Sequence, residues 1–124
     1  MLKKDYLLAQ IEELAKKFAM LIEKKEKMDP DVRDFTDECY GILGISPEWL
    51  ANAEPEEIIS RIGIWDLIEL LVKIMTEDDN MNTKRDCMQK AQVLLFYVQK
   101  QCRTYSEERI KLENKIEELM KSLA

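Results

Sequence analysis

The chain contains no histidine. That removes the commonest general base near neutral pH, the usual activator of serine and cysteine nucleophiles, and the usual nitrogen ligand of zinc. Cysteine is scarce: Cys39, Cys87 and Cys102 form an odd set with no C-x-x-C spacing. A zinc site would have to use cysteine and carboxylate alone, an uncommon donor set. Three glycines and three prolines in 124 residues leave few places for turns, which favours long elements with short connections. Long uncharged runs are missing too. The longest, Cys39–Pro47 and Ala91–Gln99, fall well short of the roughly eighteen residues a membrane span needs. The phosphate-cradling G-x-x-x-x-G-K-[ST] and G-x-G-x-x-G patterns and the zinc motif H-E-x-x-H do not occur.

What is present describes one folded domain, 1–124. Hydrophobic residues at 46% and charged residues at 35% fit a well-solvated core-forming chain, not a disordered one. The net charge of −6 is unevenly placed. Residues 1–28 carry seven lysines against five acids, and 80–124 carry nine basic residues against six acidic. Between them, 29–79 holds fourteen acids against Arg33, Arg61 and Lys73. That acidic middle would repel phosphate backbones. It reads first as a solvated surface and second as a docking patch. Free-looking cysteines and no signal peptide point to the reducing cytoplasm, with Cys39 and Cys87 as small core residues.

Helical spacing runs through the whole chain. Leu7, Leu8, Ile11, Leu14, Ala15, Phe18, Leu21 and Ile22 predict a first helix over 5–28, apolar across roughly 140°. Lys25 would interrupt that arc. As a secretory signal the stretch fails, because its uncharged run, Tyr6–Ile11, is short. As a membrane-surface helix it stays conceivable, since lysines flank the stripe, but Glu12, Glu13 and Glu23 on its polar side weaken attraction to anionic lipid. Asp29 as cap and Pro30 as first residue predict a second helix over 30–43, closed by Gly44. Ser46-Pro47-Glu48 and Glu54-Pro55-Glu56-Glu57 open two short helices that fold over the ends of the longer ones, the second stopping near Gly63. Ile64, Leu67, Ile68, Leu71, Ile74 and Met75 lie in an element apolar around most of its circumference, hence a central helix with Trp65 in the core. After a polar loop, T-E-D-D-N-M-N-T, Thr83 could cap a helix over 83–102 in which Phe96 and Tyr97 widen the core stripe. Ser106 opens a last helix over about 106–123. No stretch alternates at period two, so the fold class is all-α, a helical bundle of about five to seven helices.

Two motifs fail on inspection. Asp78, Asn80 and Asn82 match the first ligands of a calcium loop, but Thr83 stands where its turn glycine belongs and Gln89 where its bidentate glutamate belongs. L-G-I-S at Leu43–Ser46 has the look of a helix-turn-helix turn. Its second helix, however, would carry Glu48, Glu54, Glu56 and Glu57 with no lysine or arginine, and bulky Tyr40 precedes the turn.

The stretches M-L-K-K-D-Y-L-L-A-Q-I-E-E-L-A-K-K-F-A-M-L-I, G-I-L-G-I-S-P-E-W-L and E-P-E-E-I-I-S-R-I-G resemble a family of small all-helical bacterial proteins of unknown function. Its members open with M-[LI]-x-K-D-Y and end in a helical half similar to tetratricopeptide pairs. The resemblance implies that the C-terminal half is a tetratricopeptide-like stack of helical hairpins, and it implies no activity. Residues 64–102 show no clear 34-residue repeat, and Ala91 is the small residue there suited to close packing.

The leading functional reading is a non-enzymatic helical protein-interaction or scaffold module without metal or cofactor. It would bind an unidentified protein or a second copy of itself, and neither nucleic acid nor membrane. The candidate partner-facing residues are Trp49, Tyr97 and Tyr105, although Trp49 is better suited to sealing the end of the core. A small carboxylate-based, metal-dependent enzyme is the competing reading, and a helix-turn-helix regulator the third. The last helix is expected to pack internally rather than between subunits.

Overall fold

The stripe that begins at Leu7 builds the longest element of the computed structural model, which describes the backbone of residues 2–123 and the side chains of 5–123. This helix, α1, spans Leu2–Glu26; the side chains of the M-L-K-K opening lie outside the described residues. It ends two residues earlier than its spacing predicts. Met28 adopts a left-handed φ of 56°, and the Met28 and Asp29 amides donate back to the carbonyls of Lys25 and Lys24 at 3.1 and 3.0 Å. That pair of bonds is a Schellman closure, normally built on glycine.

Then follow α2 (Val32–Ile42), α3 (Pro47–Asn52), α4 (Pro55–Ile62), α5 (Trp65–Glu77), α6 (Asp79–Asn82), α7 (Arg85–Gln101) and α8 (Glu107–Ser122). The described residues thus form an all-α bundle of eight helices in one domain, one more than the upper expectation. The extra element is α6, a single turn inside the polar loop, which forms because the Asp78 carboxylate accepts the Asn80 amide at 2.9 Å. Two cap assignments also change. Asp29 accepts the Asp31 amide in a turn ahead of α2, which starts at Val32 rather than Pro30. Thr83 donates its hydroxyl to the Asp79 carbonyl, so α7 starts from Lys84 without a side-chain cap. The other stops and starts agree: Gly44 and Gly63 are left-handed, Ser46 and Ser106 cap α3 and α8, and Glu54 with Glu57 forms a reciprocal capping box on α4.

Side-chain pairs establish the helix directions. Gln10 reaches the Ile42 carbonyl, Lys17 pairs with Glu38, and Lys24 with Asp29. Numbers that rise on one side and fall on the other make α1 and α2 an antiparallel hairpin. Glu69–Arg109 and Glu77–Lys115 rise together, so α8 runs parallel to α5. Gln99 on Glu113 and Arg85 on the Met120 carbonyl make α7 and α8 antiparallel. The core centres on α5, whose Leu67, Ile68, Leu71, Val72, Ile74 and Met75 are buried, against α7 residues Met88, Ala91, Leu94 and Val98. Leu14 and Leu21 of α1, and Leu112 and Ile116 of α8, close its two sides, so α8 packs internally. Cys39 and Cys87 are buried in this core, and burial pushes the Cys39 thiol up to about 11. Trp65 is only partly buried and stacks beneath the Arg109 guanidinium. No helix among the described residues is long and apolar enough to cross a membrane.

Lys25, which interrupts the first stripe, donates to the last carbonyl of α5, that of Glu77, at 2.6 Å. It places positive charge at the negative end of the helix dipole. Burial alone would raise the Glu77 carboxyl, but hydrogen bonds from Lys115 and Lys25 outweigh it and hold the group below its ordinary value. A depressed carboxylate stabilises the fold above its unfolded pKa, and that contribution disappears as pH falls through the folded one. Glu77→Gln should therefore cost about 1 kcal/mol or more at neutral pH. Urea titrations of both proteins should converge as pH falls below the ordinary glutamate range; a gap that stays constant with pH would show that charge is not what Glu77 contributes.

Candidate interaction surface

Folding sorts the fourteen acids of the middle segment into two groups. Eight find cations: Asp29 and Asp31 with Lys24, Glu38 with Lys17, Asp37 and Asp78 with Arg33, Glu69 with Arg109, Glu77 with Lys25 and Lys115, and Asp79 with Lys25. Asp78 is the most enclosed of them. Its carboxylate accepts from Arg33 Nη1 at 2.7 Å, from the Tyr40 hydroxyl at 2.6 Å and from the Asn80 amide. Its hydrogen bond holds the Arg33 pKa above the usual value, while burial followed by the Asp78 charge pushes the Tyr40 phenol upward. The residues that resembled calcium ligands are thus engaged with protein donors and acceptors, and Asn82 donates to the Thr76 carbonyl. Tyr40, out of place in a helix-turn-helix, is the buried partner of this cluster.

The second group stays uncompensated. Among the described residues Asp34, Glu48, Glu54, Glu56, Glu57 and Asp66 enter no ion pair, and four of these six lie on or beside α3 and α4. The residual negative charge therefore concentrates on the two short helices, reduced by Arg61 of α4, which lines the same hollow as Glu56 and Glu57.

A groove of about 320 Å³ runs between α7 and α8. Leu95 and Ile116, both buried, form its floor. Gln92, Gln99 and Glu113 line its walls, and Val93 and Phe96 stand at its edge, 49% and 58% exposed. A second depression, of about 390 Å³, lies on the other side of Val93 among Ala51, Pro55, Glu54 and Asp86. Val93 borders both, so the outer face of α7 is one surface with a groove on either flank.

The three aromatics singled out from the sequence do not meet in either groove. Trp49 packs partly against the core with Arg61 over its ring at 5.1 Å, in a shallow hollow beside Glu56 and Glu57. Tyr97 is partly buried against the core, and Tyr105 is 74% exposed in the connection between α7 and α8. Phe96 corrects the expectation that it widens the core stripe. One residue before Tyr97, it sits about 100° round the helix and points away from the core, with Lys100 over its ring. Val93 and Phe96 were recoverable from the sequence as two of the three hydrophobic residues of α7 off the Cys87–Met88–Ala91–Leu94–Leu95–Val98 stripe, Tyr97 being the third.

Cys102, at the end of α7, accepts from Arg109 Nη2 at 3.1 Å. A backbone hydrogen bond at Thr104, then Arg109, lower the thiol from its ordinary value. Arg109 itself is held by Glu69 and the Thr104 carbonyl, so this cluster ties the α7–α8 connection to α5. No protein-family model matches the chain, and no curated protein or solved structure matches it significantly.

Proposed function

We propose that this chain is a non-enzymatic helical interaction module whose partner-binding surface is the outer face of α7 with its two flanking grooves. The observation that carries this reading is the pairing of exposed Val93 and Phe96 with a groove floored by Leu95 and Ile116. Adjacent exposed apolar side chains over an apolar floor form the kind of patch that partner association buries. The family resemblance supports a helical scaffold and supplies no activity. The same reading puts the module in the reducing cytoplasm, on the strength of Cys39, Cys87 and Cys102 being free thiols.

A Val93→Ser, Phe96→Ser double variant tests it. Both positions are exposed, so the stability measured by urea unfolding should change by no more than about 0.5 kcal/mol each. Cross-linking in native cell extract should lose, in the variant, a partner seen with the wild type. A partner set identical for the two proteins would sink the assignment of this face. A melting rise of several degrees with a single divalent cation would sink the non-enzymatic reading itself.

A further inference from the structure

Charge decides what kind of partner the α7 face accepts. Three carboxylates line its grooves: Glu54 and Asp86 on one side of Val93, Glu113 on the other. None is in an ion pair among the described residues; Glu113 accepts only from the neutral Gln99 amide, at 3.0 Å. The lysine in the lining, Lys90, is held by the carbonyls of Leu50 and Ala51, both at 3.0 Å, and offsets one of the three, so the lining stays net negative. Glu56 and Glu57 on the adjoining α4 add two more carboxylates, against the one guanidinium of Arg61 beside them. Lys100, stacked on Phe96, is the cation at the far end.

Shape narrows the choice further. From Asp86 to Gln99 the face is about 20 Å long, the length of three to four helical turns. Val93 and Phe96 are spaced i, i+3, and grooves between packed helices take a third helix through such anchors. We infer that the partner element is a basic amphipathic helix lying along α7. Its apolar side covers Val93 and Phe96, and its lysines or arginines stand over Glu54, Asp86 and Glu113. This rests on the reading of the chain as an interaction module. An anionic lipid or a nucleic acid would meet the same carboxylates with like charge.

The test uses two synthetic helices of about 18 residues with the same leucine stripe, one flanked by lysine and the other by glutamate. Binding to the full-length chain is read by fluorescence anisotropy. The lysine helix should bind, weaken as salt is raised, and bind at least about tenfold more tightly than the glutamate helix. Val93→Ser with Phe96→Ser should weaken it by about tenfold or more, and Glu54→Lys with Glu113→Lys should reverse the preference between the two peptides. Equal binding of both peptides, or lysine-helix binding that neither variant changes, would overturn the inference. So would a wild-type dimer in sedimentation that the Val93, Phe96 variant abolishes, since the occupant would then be a second copy. If neither peptide binds while capture of a native partner still depends on Val93 and Phe96, the basic helix is refuted and the interaction module stands. If both fail, both readings fall.

Discussion

Replacing Asp78 with alanine is expected to destabilise the fold by about 3–5 kcal/mol, the range for removing one partner from a buried charge pair. Asp78 is 2% exposed. Its two oxygens join three separate chain segments: Arg33 and Tyr40 on α2, the end of α5, and the first turn of α6. Without the carboxylate, the hydroxyl of fully buried Tyr40 loses its acceptor, and α6 loses its cap. Arg33 keeps Asp37 at 2.6 Å and can rehydrate, which argues for the lower half of the range. Urea unfolding followed by circular dichroism measures the loss, and a cost below about 1 kcal/mol would show that water replaces the carboxylate readily. A cycle with Tyr40→Phe sharpens the result, because the double variant should lose less than the sum of the singles.

Leu21→Asp is expected to unfold the chain at room temperature, whereas Leu8→Asp on the same helix should leave its melting nearly unchanged. Leu21 is fully buried and Leu8 is 50% exposed. An unpaired carboxylate at Leu21 costs several kcal/mol whether it stays charged or is neutralised, on top of the lost apolar packing. That approaches the whole stability of a domain this size. Circular dichroism melts of the two variants settle it; a folded Leu21→Asp would place α1 outside the cooperative core. Phe18, the centre of the stripe in sequence, is only partly buried and is the less severe site.

The contrast between Leu8 and Leu21 shows how far the sequence can be read. Spacing finds every long helix, because a 3.6-residue apolar period is a local property. Caps with a side-chain oxygen next to proline, such as Ser46-Pro47, are local too. Which part of an apolar arc is covered is not local. It depends on the length of the facing helix, and α1 at 25 residues outruns the 11 of α2. Met28 closing α1 was illegible, since nothing in its type favours a positive φ. Asp78 and Tyr40, 38 residues apart, read separately as a loop acid and a misplaced aromatic; only the fold joins them. The α7 surface was half legible: Val93 and Phe96 lie off the core stripe by arithmetic. That they stand over a groove depends on where α8 comes to rest.

The Glu77–Asp78 junction also bears on where the chain can be cut or extended. By composition, the polar stretch between α5 and α7 would be the natural place to insert a fluorescent domain or a protease site. Yet Lys25 and Arg33 from the first hairpin and Lys115 from the last helix all converge on these two neighbouring residues. An insertion there would part three attachments at once. The turn at Met28, 88% exposed and tied only to its own hairpin, is the place where the chain can be opened and still close around its core.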